Sequence, residues 1–174
     1  MLVVASLLLL GTAFTTLFVA LSHAASALGG AQQVATPHEA IKTILDTGAV
    51  SDGTRFVELG YGAGTVLASA AERGATVGGI DISPLAYLLA RWRLRGFRSA
   101  GIAVGNMFSY DLHATDIVYC YLLPPLLKRL EPKFQTELKP GSRVVSYAFP
   151  LPTKQPAKII PRTNGLGRIF LYTY

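Results

Sequence analysis

The stretch FVELGYGAGT, residues 56–65, decides how this chain is interpreted. A hydrophobic run typical of a buried strand ends in three glycines at alternate positions, Gly60, Gly62 and Gly64, and a helix-like run follows. Glycine tolerates positive φ and lets a ligand approach the backbone without an intervening β-carbon. The loop therefore indicates either a ligand site at the carboxyl end of a parallel strand or a tight turn without a ligand.

Strands and helices alternate along the rest of the chain, which is typical of an α/β protein with a mostly parallel sheet covered on both faces. The predicted strands are TRFVEL, ATVGGID, SAGIAV, TDIVYCY and SRVVSYAF, and the predicted helices between them are residues 64–73, 84–95 and 125–138. The tail differs, because AKIIP and RIFLYTY are two strand-like runs joined by the turn RTNGLG. The sequence thus predicts a seven-stranded, Rossmann-like sheet with an antiparallel hairpin at one edge.

The segment ATPHEAIKTILDTG carries the signals of a helix with both ends marked. Thr36 is the expected N-cap, Pro37 the first helical residue, and Glu39 the residue that closes a capping box. Gly48 is expected to end the helix.

The N-terminus is apolar enough to enter a membrane. No Asp, Glu, Lys or Arg precedes Glu39, and residues 2–22 are long enough to cross a hydrocarbon layer, which takes about 20 residues. A cleaved secretory signal is the alternative, because Ala25-Ser26-Ala27 has the small-x-small form of a cleavage site. The run is longer than an ordinary signal core and its front lacks Lys and Arg, which favours a retained helix.

The chain is predicted to have three parts. Residues 1–28 form a transmembrane helix or signal anchor, residues 29–53 a linker and a helix, and residues 54–174 the main domain. All 16 Lys and Arg residues follow residue 41, so the positive-inside tendency places the main domain in the cytoplasm, or in the matrix of a mitochondrion if the protein is eukaryotic. The net charge of +6 suits either an anionic membrane surface or nucleic acid.

Three kinds of ligand compete for the glycine loop. A phosphate-binding P-loop requires GxxxxGK[ST], and no Lys follows this loop. A dinucleotide fingerprint, GxGxxG, requires glycine where Thr65 stands, which weakens that alternative. Asp81 ends the next strand, and a carboxylate there accepts hydrogen bonds from both hydroxyls of a ribose. The expected ligand therefore carries a ribose.

The pattern Glu58-x-Gly60-x-Gly62-x-Gly64, followed by Asp81, resembles the motifs of class I S-adenosylmethionine-dependent methyltransferases. Together with the tail hairpin, this resemblance spans residues 54–174 and implies the cofactor S-adenosyl-L-methionine. The cofactor-binding positions it implies are Glu58, Gly60, Tyr61, Gly62, Gly64, Asp81, Ile82, Asn106 and Met107.

Two details of that assignment carry alternatives. Asn106 stands where the family has Asp or Asn contacting the adenine amino group, with Met107 or Phe108 beside the ring; an Asn that merely turns a loop is the other interpretation. Tyr61 and Ala63 replace the small and acidic residues common in the family, which leaves open how the methionine amino group is held.

A narrower resemblance covers nearly the whole chain. The apolar leader, VATPHEAIKTIL, YLLPPLLKRLEPKFQTELKPGSRVVS and YAFPLP are similar to the mitochondrial-type protein-lysine methyltransferases, which act on the adenine nucleotide translocase and the ATP synthase c subunit. This resemblance implies a protein-lysine N-methyltransferase acting on a membrane protein. It also implies no metal, no nucleic-acid partner, and substrate-binding residues in the segment after the fourth strand, namely Tyr121, Leu122 and Pro124.

The fourth-strand segment also bears on the substrate. Methylases of base amines or glutamine often carry Asn/Asp-Pro-Pro-Tyr/Phe there, whereas this chain has Leu123-Pro124-Pro125-Leu126. Aromatic residues near the strand ends are candidates to line a dry channel that favours a neutral lysine amine and tolerates its methylated cation. They are Tyr119, Tyr121, Tyr147 and Phe149, of which Tyr121 and Tyr119 are the candidate catalytic residues; ordinary core packing is the alternative.

Other polar residues indicate less. His23, His38 and His113 lack metal-ligand spacing, and Asp111 and Asp116 are possible proton acceptors between which the sequence does not choose. Arg91, Arg95 and Arg98 share one side of a helix, which is a solvated face or a contact for lipid headgroups or RNA.

Two functional alternatives remain open from the sequence. One is a methyltransferase of a small lipophilic molecule such as a quinone or lipid precursor, which an apolar leader would equally suit. The other is an S-adenosylmethionine-binding module without catalysis, which the unusual Tyr61 and Ala63 would allow.

Overall fold

A computed structural model describes residues 2–28, 34–162 and 166–174. The helices are α1 (Leu2–Leu28), α2 (His38–Gly48), α3 (Thr65–Glu72), α4 (Pro84–Arg93) and α5 (Pro124–Glu137), with a 3-10 turn at Met107–Ser109. The strands are β1 (Arg55–Leu59), β2 (Thr76–Asp81), β3 (Ala100–Val104), β4 (Ile117–Cys120), β5 (Arg143–Tyr147), β6 (Lys158–Ile160) and β7 (Ile169–Thr173).

Within these described ranges the strands form one seven-stranded sheet in the order β3-β2-β1-β4-β5-β7-β6. Strands β1 to β5 pair in parallel, and β7 runs antiparallel to both β5 and β6. The predicted Rossmann-like sheet with an antiparallel C-terminal hairpin is therefore confirmed. The turn predicted in that hairpin lies partly on residues 163–165, outside the described residues.

The sheet is covered on both faces, because alternate strand residues face opposite sides. In β1, Phe56 packs with the core formed by α2, α3 and α4, whereas Val57 and Leu59 pack with the core formed by α5. Glu58, two residues after Phe56, therefore points toward the α2 and α3 side. The strand order reverses between β1 and β4, and in open α/β sheets such a reversal creates a crevice at the carboxyl ends of the strands.

The start of α2 differs from the prediction. Its N-cap is Pro37, and no side chain caps the helix, so the predicted capping box of Thr36 and Glu39 is wrong. The physical reason is tertiary: the Thr36 hydroxyl is paired with the hydroxyl of Tyr119 at 2.7 Å. At the other end, Gly48 is the last helical residue and is buried against Val145.

Other element ends agree with the prediction to within two residues. Ser83 caps α4, where its hydroxyl accepts a hydrogen bond from the Ala86 N–H at 3.2 Å. Helix α5 begins at Pro124, one residue before the predicted start.

Helix α1 contains an apolar span long enough to cross a membrane, Val4–Leu21, with a mean hydropathy of 2.2 and no residue buried inside the protein. A signal sequence would pass the same test. Among the elements that the structure describes, α1 contacts α4 most extensively. In residues 4–21 the half-buried side chains are Phe18 and Val19, close to the end that leads toward the domain.

Candidate active site

A cavity of about 280 Å³ opens at the carboxyl ends of β1, β2 and β4, where the strand order reverses. Small-molecule sites have volumes of roughly 300–1,000 Å³. The walls come from the segment before α2, the glycine loop, the β2–α4 connection, α4 and the residues after β4. The lining residues are Val34, Ala35, Thr36, Glu58, Gly60, Tyr61, Gly62, Ala63, Thr65, Val66, Asp81, Ser83, Leu85, Ala86, Leu89, Tyr121 and Leu122.

The charged groups in the cavity lining bear on which ligands can bind. The lining contains two carboxyl groups, Glu58 and Asp81, and its described residues include no Lys, Arg or His. A phosphate would find no cationic side chain in the lining, whereas a cationic ligand would find a favourable potential. The lining thus favours a ligand that carries a cationic group.

The glycine loop has the backbone conformation that its sequence predicts. Gly60, Gly62 and Gly64 have φ values of 78°, 52° and 71°, in the left-handed region that side chains disfavour. A β-carbon on Gly64 would lie 2.8 Å from the Ala90 β-carbon of α4, whereas one on Gly62 would meet nothing within 4 Å. The glycines thus serve two purposes, close packing of the loop on α4 and open space at the cavity.

Tyr61, one of the two loop residues that depart from the family pattern, does not block the cavity. Its side chain is buried beneath the loop at 3% exposure, and its hydroxyl donates to the carbonyl of Ala103 on β3 at 2.8 Å. Gly79 leaves room for the ring, because a β-carbon there would lie 2.9 Å from Tyr61 Cδ1. The buried Tyr61 side chain therefore anchors the glycine loop to β3 through its hydrogen bond.

Asp81 is held in place by backbone donors. One carboxylate oxygen accepts from the Gly62 N–H at 2.9 Å and the other from the Ser83 N–H at 2.8 Å. Each carboxylate oxygen has further acceptor capacity, and the side chain stays half-exposed at the cavity wall. The carboxylate is therefore oriented in advance for a ligand that presents two hydroxyls, as a ribose does.

Glu58 lies at the buried side of the cavity. It is 5% exposed, and its Oε2 has no hydrogen-bond partner among the described residues. Burial raises the pKa of this carboxyl well above its usual value; the Leu67 N–H lowers the pKa and the charge of Asp81 raises it. Because buried polar atoms are normally hydrogen-bonded, the unpaired oxygen fits an ammonium group such as that of a methionine moiety.

Replacing Glu58 with Gln should change how stability depends on pH. Because the folded protein holds the Glu58 proton more tightly than the unfolded chain, the wild type loses stability relative to Glu58→Gln as pH rises above about 4.5, by at most about 1.4 kcal/mol per pH unit. Thermal melts without cofactor should therefore show a larger advantage of Glu58→Gln at pH 8 than at pH 5. The exposed control Glu72→Gln should show no such trend, and a pH-independent difference for Glu58→Gln would contradict the assignment.

Arg93, in the last turn of α4, reaches across to the glycine loop. Its Nη1 donates to the carbonyl of Ala63 and to the Thr65 hydroxyl, the latter at 2.9 Å. This contact could not be found from the sequence, because it joins residues about 30 positions apart and no local pattern marks it. The guanidinium therefore supports the glycine loop from α4.

Arg93→Ala should weaken S-adenosylhomocysteine binding about 5-fold or more, because two hydrogen bonds to the loop are lost, each worth about 0.5–1.5 kcal/mol, and about 1.4 kcal/mol is tenfold in affinity. Isothermal titration calorimetry on the full chain measures this loss. Arg98→Ala removes the same charge at an exposed position beyond the helix and should leave the affinity unchanged. Equal affinities of the two variants would show that Arg93 does not position the loop.

The candidate aromatic residues separate in the structure. Tyr121 lines the cavity and is half-buried, with its ring edge-on to Tyr147 at 4.8 Å between centroids. Tyr119 is fully buried, stacks near Phe56 at 6.4 Å and does not line the cavity. Phe149 packs with the core on the other face of the sheet. Tyr121 is thus the candidate that a substrate can reach, and Tyr119 supports the fold.

The remaining predicted site residues lie outside the cavity lining. The Asn106 side chain accepts from the Phe108 N–H at 3.0 Å and begins the 3-10 turn, and Met107 is buried in the α5-side core. Ile82 is half-buried next to Asp81, and Pro124 is exposed at the first residue of α5. Their roles toward adenine and substrate stay predictions. Leu122, by contrast, lines the cavity beside Gly60.

The possible proton acceptors also lie away from the cavity. Asp116 precedes β4, where its carboxylate accepts from the Arg55 N–H and pairs with Lys139 at 2.6 Å. Asp111 is bonded to His113, and together with Glu137 they form a group that no spacing in the sequence indicates, with ligand atoms within 4.8 Å. None of these residues lines the cavity, and the expectation that the enzyme needs no metal stays a prediction.

These features define the class of protein. A preoriented carboxylate for a ribose, a buried acidic partner for a cationic group and bare glycine backbone between them fit S-adenosyl-L-methionine, which has no phosphate. The protein is a class I S-adenosylmethionine-dependent methyltransferase.

Comparison with known proteins places it within that class. A family model described as the ANTKMT methyltransferase domain matches residues 58–158, and the chain belongs to that family. A protein-lysine N-methyltransferase from Saccharolobus islandicus (strain REY15A) is 30% identical over 81% of this chain and 91% of the relative. The adenine nucleotide translocase lysine N-methyltransferase of Mus musculus is 34% identical over 68% of this chain and 52% of the relative.

Among solved structures, a methyltransferase shares the fold of this chain. An RNA methyltransferase from Salinibacter ruber in complex with S-adenosyl-L-homocysteine has a TM-score of 0.76 and 27% identity, over 80% of this chain and 93% of that chain. The present chain spans about half the length of its curated vertebrate relatives.

Proposed function

We propose that this protein is a protein-lysine N-methyltransferase that is anchored in a membrane and acts on a membrane protein. The observation that carries the proposal is the acidic cavity, whose described lining residues include no Lys, Arg or His, with the half-buried Tyr121 in its wall and the apolar helix α1 beside the same domain. Relatives named for lysines of the adenine nucleotide translocase and of the ATP synthase c subunit support this choice.

Bound S-adenosyl-L-methionine supplies a methyl group already activated on a sulfonium. The protein therefore has to align the lysine amine with that methyl group and exclude water. Asp81 and the loop backbone hold the nucleoside end, and Glu58 is placed to hold the ammonium group. Held by these residues, the bound cofactor would supply its methyl group to the neutral amine and would leave as its uncharged thioether.

The lysine must first lose a proton, which costs about 4–5 kcal/mol at pH 7 from a reference pKa near 10.4. An apolar entrance lowers this cost, because desolvation disfavours the charged amine. Tyr121 and Leu122 supply such a surface on the β4 side of the cavity. The face of the Tyr121 ring also tolerates the methylated, cationic product.

Anchoring through α1 would keep the domain at a membrane surface. The basic residues all follow the apolar segment, so we place the catalytic domain on the cytoplasmic side, or on the matrix side in a mitochondrion. Residues 54–174 would then form the catalytic domain, with residues 29–53 joining it to the anchor.

Radiolabelled S-adenosyl-L-methionine tests the proposal. Membranes from cells lacking the gene, incubated with the purified full chain, should show a labelled protein band whose hydrolysate contains methyl-lysine; Asp81→Ala serves as the inactive control. We expect EDTA to leave the labelling unchanged. Label confined to a lipid extract would favour the small lipophilic substrate instead, label in RNA would contradict the proposal, and cofactor binding without any transfer would favour a non-catalytic module.

A further inference from the structure

The outward face of α4 carries an exposed apolar cluster that extends beyond the cavity wall. Leu88, Leu89 and Trp92 are 52%, 50% and 66% exposed. Positions three and four apart on a helix are neighbours on its surface, so the three side chains form one contiguous patch. Exposed apolar residues scattered singly are ordinary, but contiguous ones mark an interaction surface. We call these three residues the α4 patch.

Two arginines, Arg91 and Arg95, flank the α4 patch. Residues 84–98 contain four Arg residues and no Asp or Glu. The Arg95 guanidinium lies 4.3 Å from the centroid of the Trp92 ring. Arg91 lies 5.9 Å from the Tyr87 ring centroid and donates to its hydroxyl at 3.0 Å. A tryptophan among leucines with a rim of arginines is the composition of helices that lie at the headgroup level of a bilayer.

We propose that the α4 patch docks on the surface of an anionic lipid bilayer. The charge of the rim complements anionic headgroups, and the leucines and the indole suit the boundary between headgroups and acyl chains. Helix α1 supplies the second argument, because the apolar span Val4–Leu21 belongs to the helix that contacts α4. The half-buried Phe18 and Val19 lie near the end of that span, so a membrane-spanning α1 would bring α4 to the interface.

The docked orientation has a consequence for the active site. Leu89 belongs both to the α4 patch and to the cavity lining, and Leu85 of the same helix lines the cavity as well. Docking would thus hold this wall of the cavity close to the headgroup layer. The substrate lysine would be one that projects from a membrane protein at that depth. This inference rests on the membrane anchoring proposed above and adds the orientation of the domain.

Trp92 provides a direct test, because it is the single tryptophan of the chain. The full chain is reconstituted into vesicles of phosphatidylcholine and phosphatidylglycerol, with lipids brominated close to the headgroup. We expect blue-shifted emission and quenching of about half of the fluorescence or more, as for an indole at the membrane interface. In vesicles of phosphatidylcholine alone, we expect weaker quenching.

Matched charge reversals provide the control. Arg91→Glu with Arg95→Glu should abolish most of the quenching. Lys128→Glu with Lys158→Glu makes the same charge change at exposed positions on α5 and β6 and should leave it intact. Binding of S-adenosylhomocysteine by both double variants shows that they fold, and it also reports on the cofactor site independently of docking.

Three outcomes would overturn the proposal. In the first, the chain floats with the vesicles but Trp92 stays as accessible to acrylamide as a solvent-exposed indole. Membrane anchoring would then stand, and docking of the α4 patch would be wrong. In the second, the chain does not float with the vesicles, and both the anchoring and the docking would be wrong. In the third, vesicles leave Trp92 accessible to acrylamide whereas an RNA oligonucleotide shields it, and the α4 patch would be a nucleic-acid surface.

Discussion

Asp81→Ala will weaken binding of S-adenosylhomocysteine by about 100-fold or more. Two hydrogen bonds to a charged group are lost, each worth about 1.5–3 kcal/mol, and about 1.4 kcal/mol corresponds to a tenfold change in affinity. The variant also removes the acceptors for the Gly62 and Ser83 N–H groups, so the loop itself loses support. Isothermal titration calorimetry on the full chain in detergent measures the effect.

The matched control for this loss is Asp111→Ala, which removes a carboxylate from an exposed position outside the cavity lining. Its affinity for S-adenosylhomocysteine should equal that of the wild type. Asp81→Asn should fall between wild type and Asp81→Ala, because its amide oxygen can replace one of the two acceptors. An affinity of Asp81→Ala equal to that of the wild type would remove the assignment of the ribose site.

A pair of alanine substitutions in the glycine loop should separate stability from binding. In Gly64→Ala, the new β-carbon would lie 2.8 Å from the Ala90 β-carbon and 3.1 Å from its Cα, at a residue with φ of 71°. Strain and overpacking together should lower the free energy of unfolding by about 2–4 kcal/mol. The melting temperature should fall by roughly 5–15 °C.

Gly62→Ala should behave differently, because a β-carbon there meets nothing within 4 Å. The left-handed conformation alone costs about 1–2 kcal/mol, so the melting temperature should fall less than in Gly64→Ala. Gly62 lines the cavity, and the added methyl group would occupy space left for the ligand. We expect S-adenosylhomocysteine binding to weaken about tenfold or more, the equivalent of about 1.4 kcal/mol. If both variants lost stability and affinity to the same extent, the two glycines would not have separate purposes.

The glycine loop and Asp81 could be predicted from the sequence because their constraints are local. A left-handed backbone at a strand end requires glycine, and the carboxyl end of the neighbouring strand in a parallel sheet must lie beside it. The same holds for Ser83, which caps the helix that begins at the next residue. Backbone geometry alone determines these positions.

The contacts that could not be predicted join distant parts of the chain. The Thr36 hydroxyl satisfies the rule for an N-cap, yet it pairs with Tyr119, 83 positions away, because burial of the Tyr119 hydroxyl demands a partner. Arg93 contacts the glycine loop from about 30 positions away, and no local pattern marks that contact. The direction of the Tyr61 ring cannot be predicted from the sequence either, because it depends on the space beside Gly79.

The pairing of Thr36 with Tyr119 bears on how the enzyme can be shortened for crystallisation. Val34, Ala35 and Thr36 precede the first strand of the sheet by about 20 positions, yet they form part of the cavity wall. A truncated protein that begins at residue 54 would keep every strand of the sheet but would lose part of the cavity wall. Soluble versions of the enzyme should therefore begin upstream of Val34.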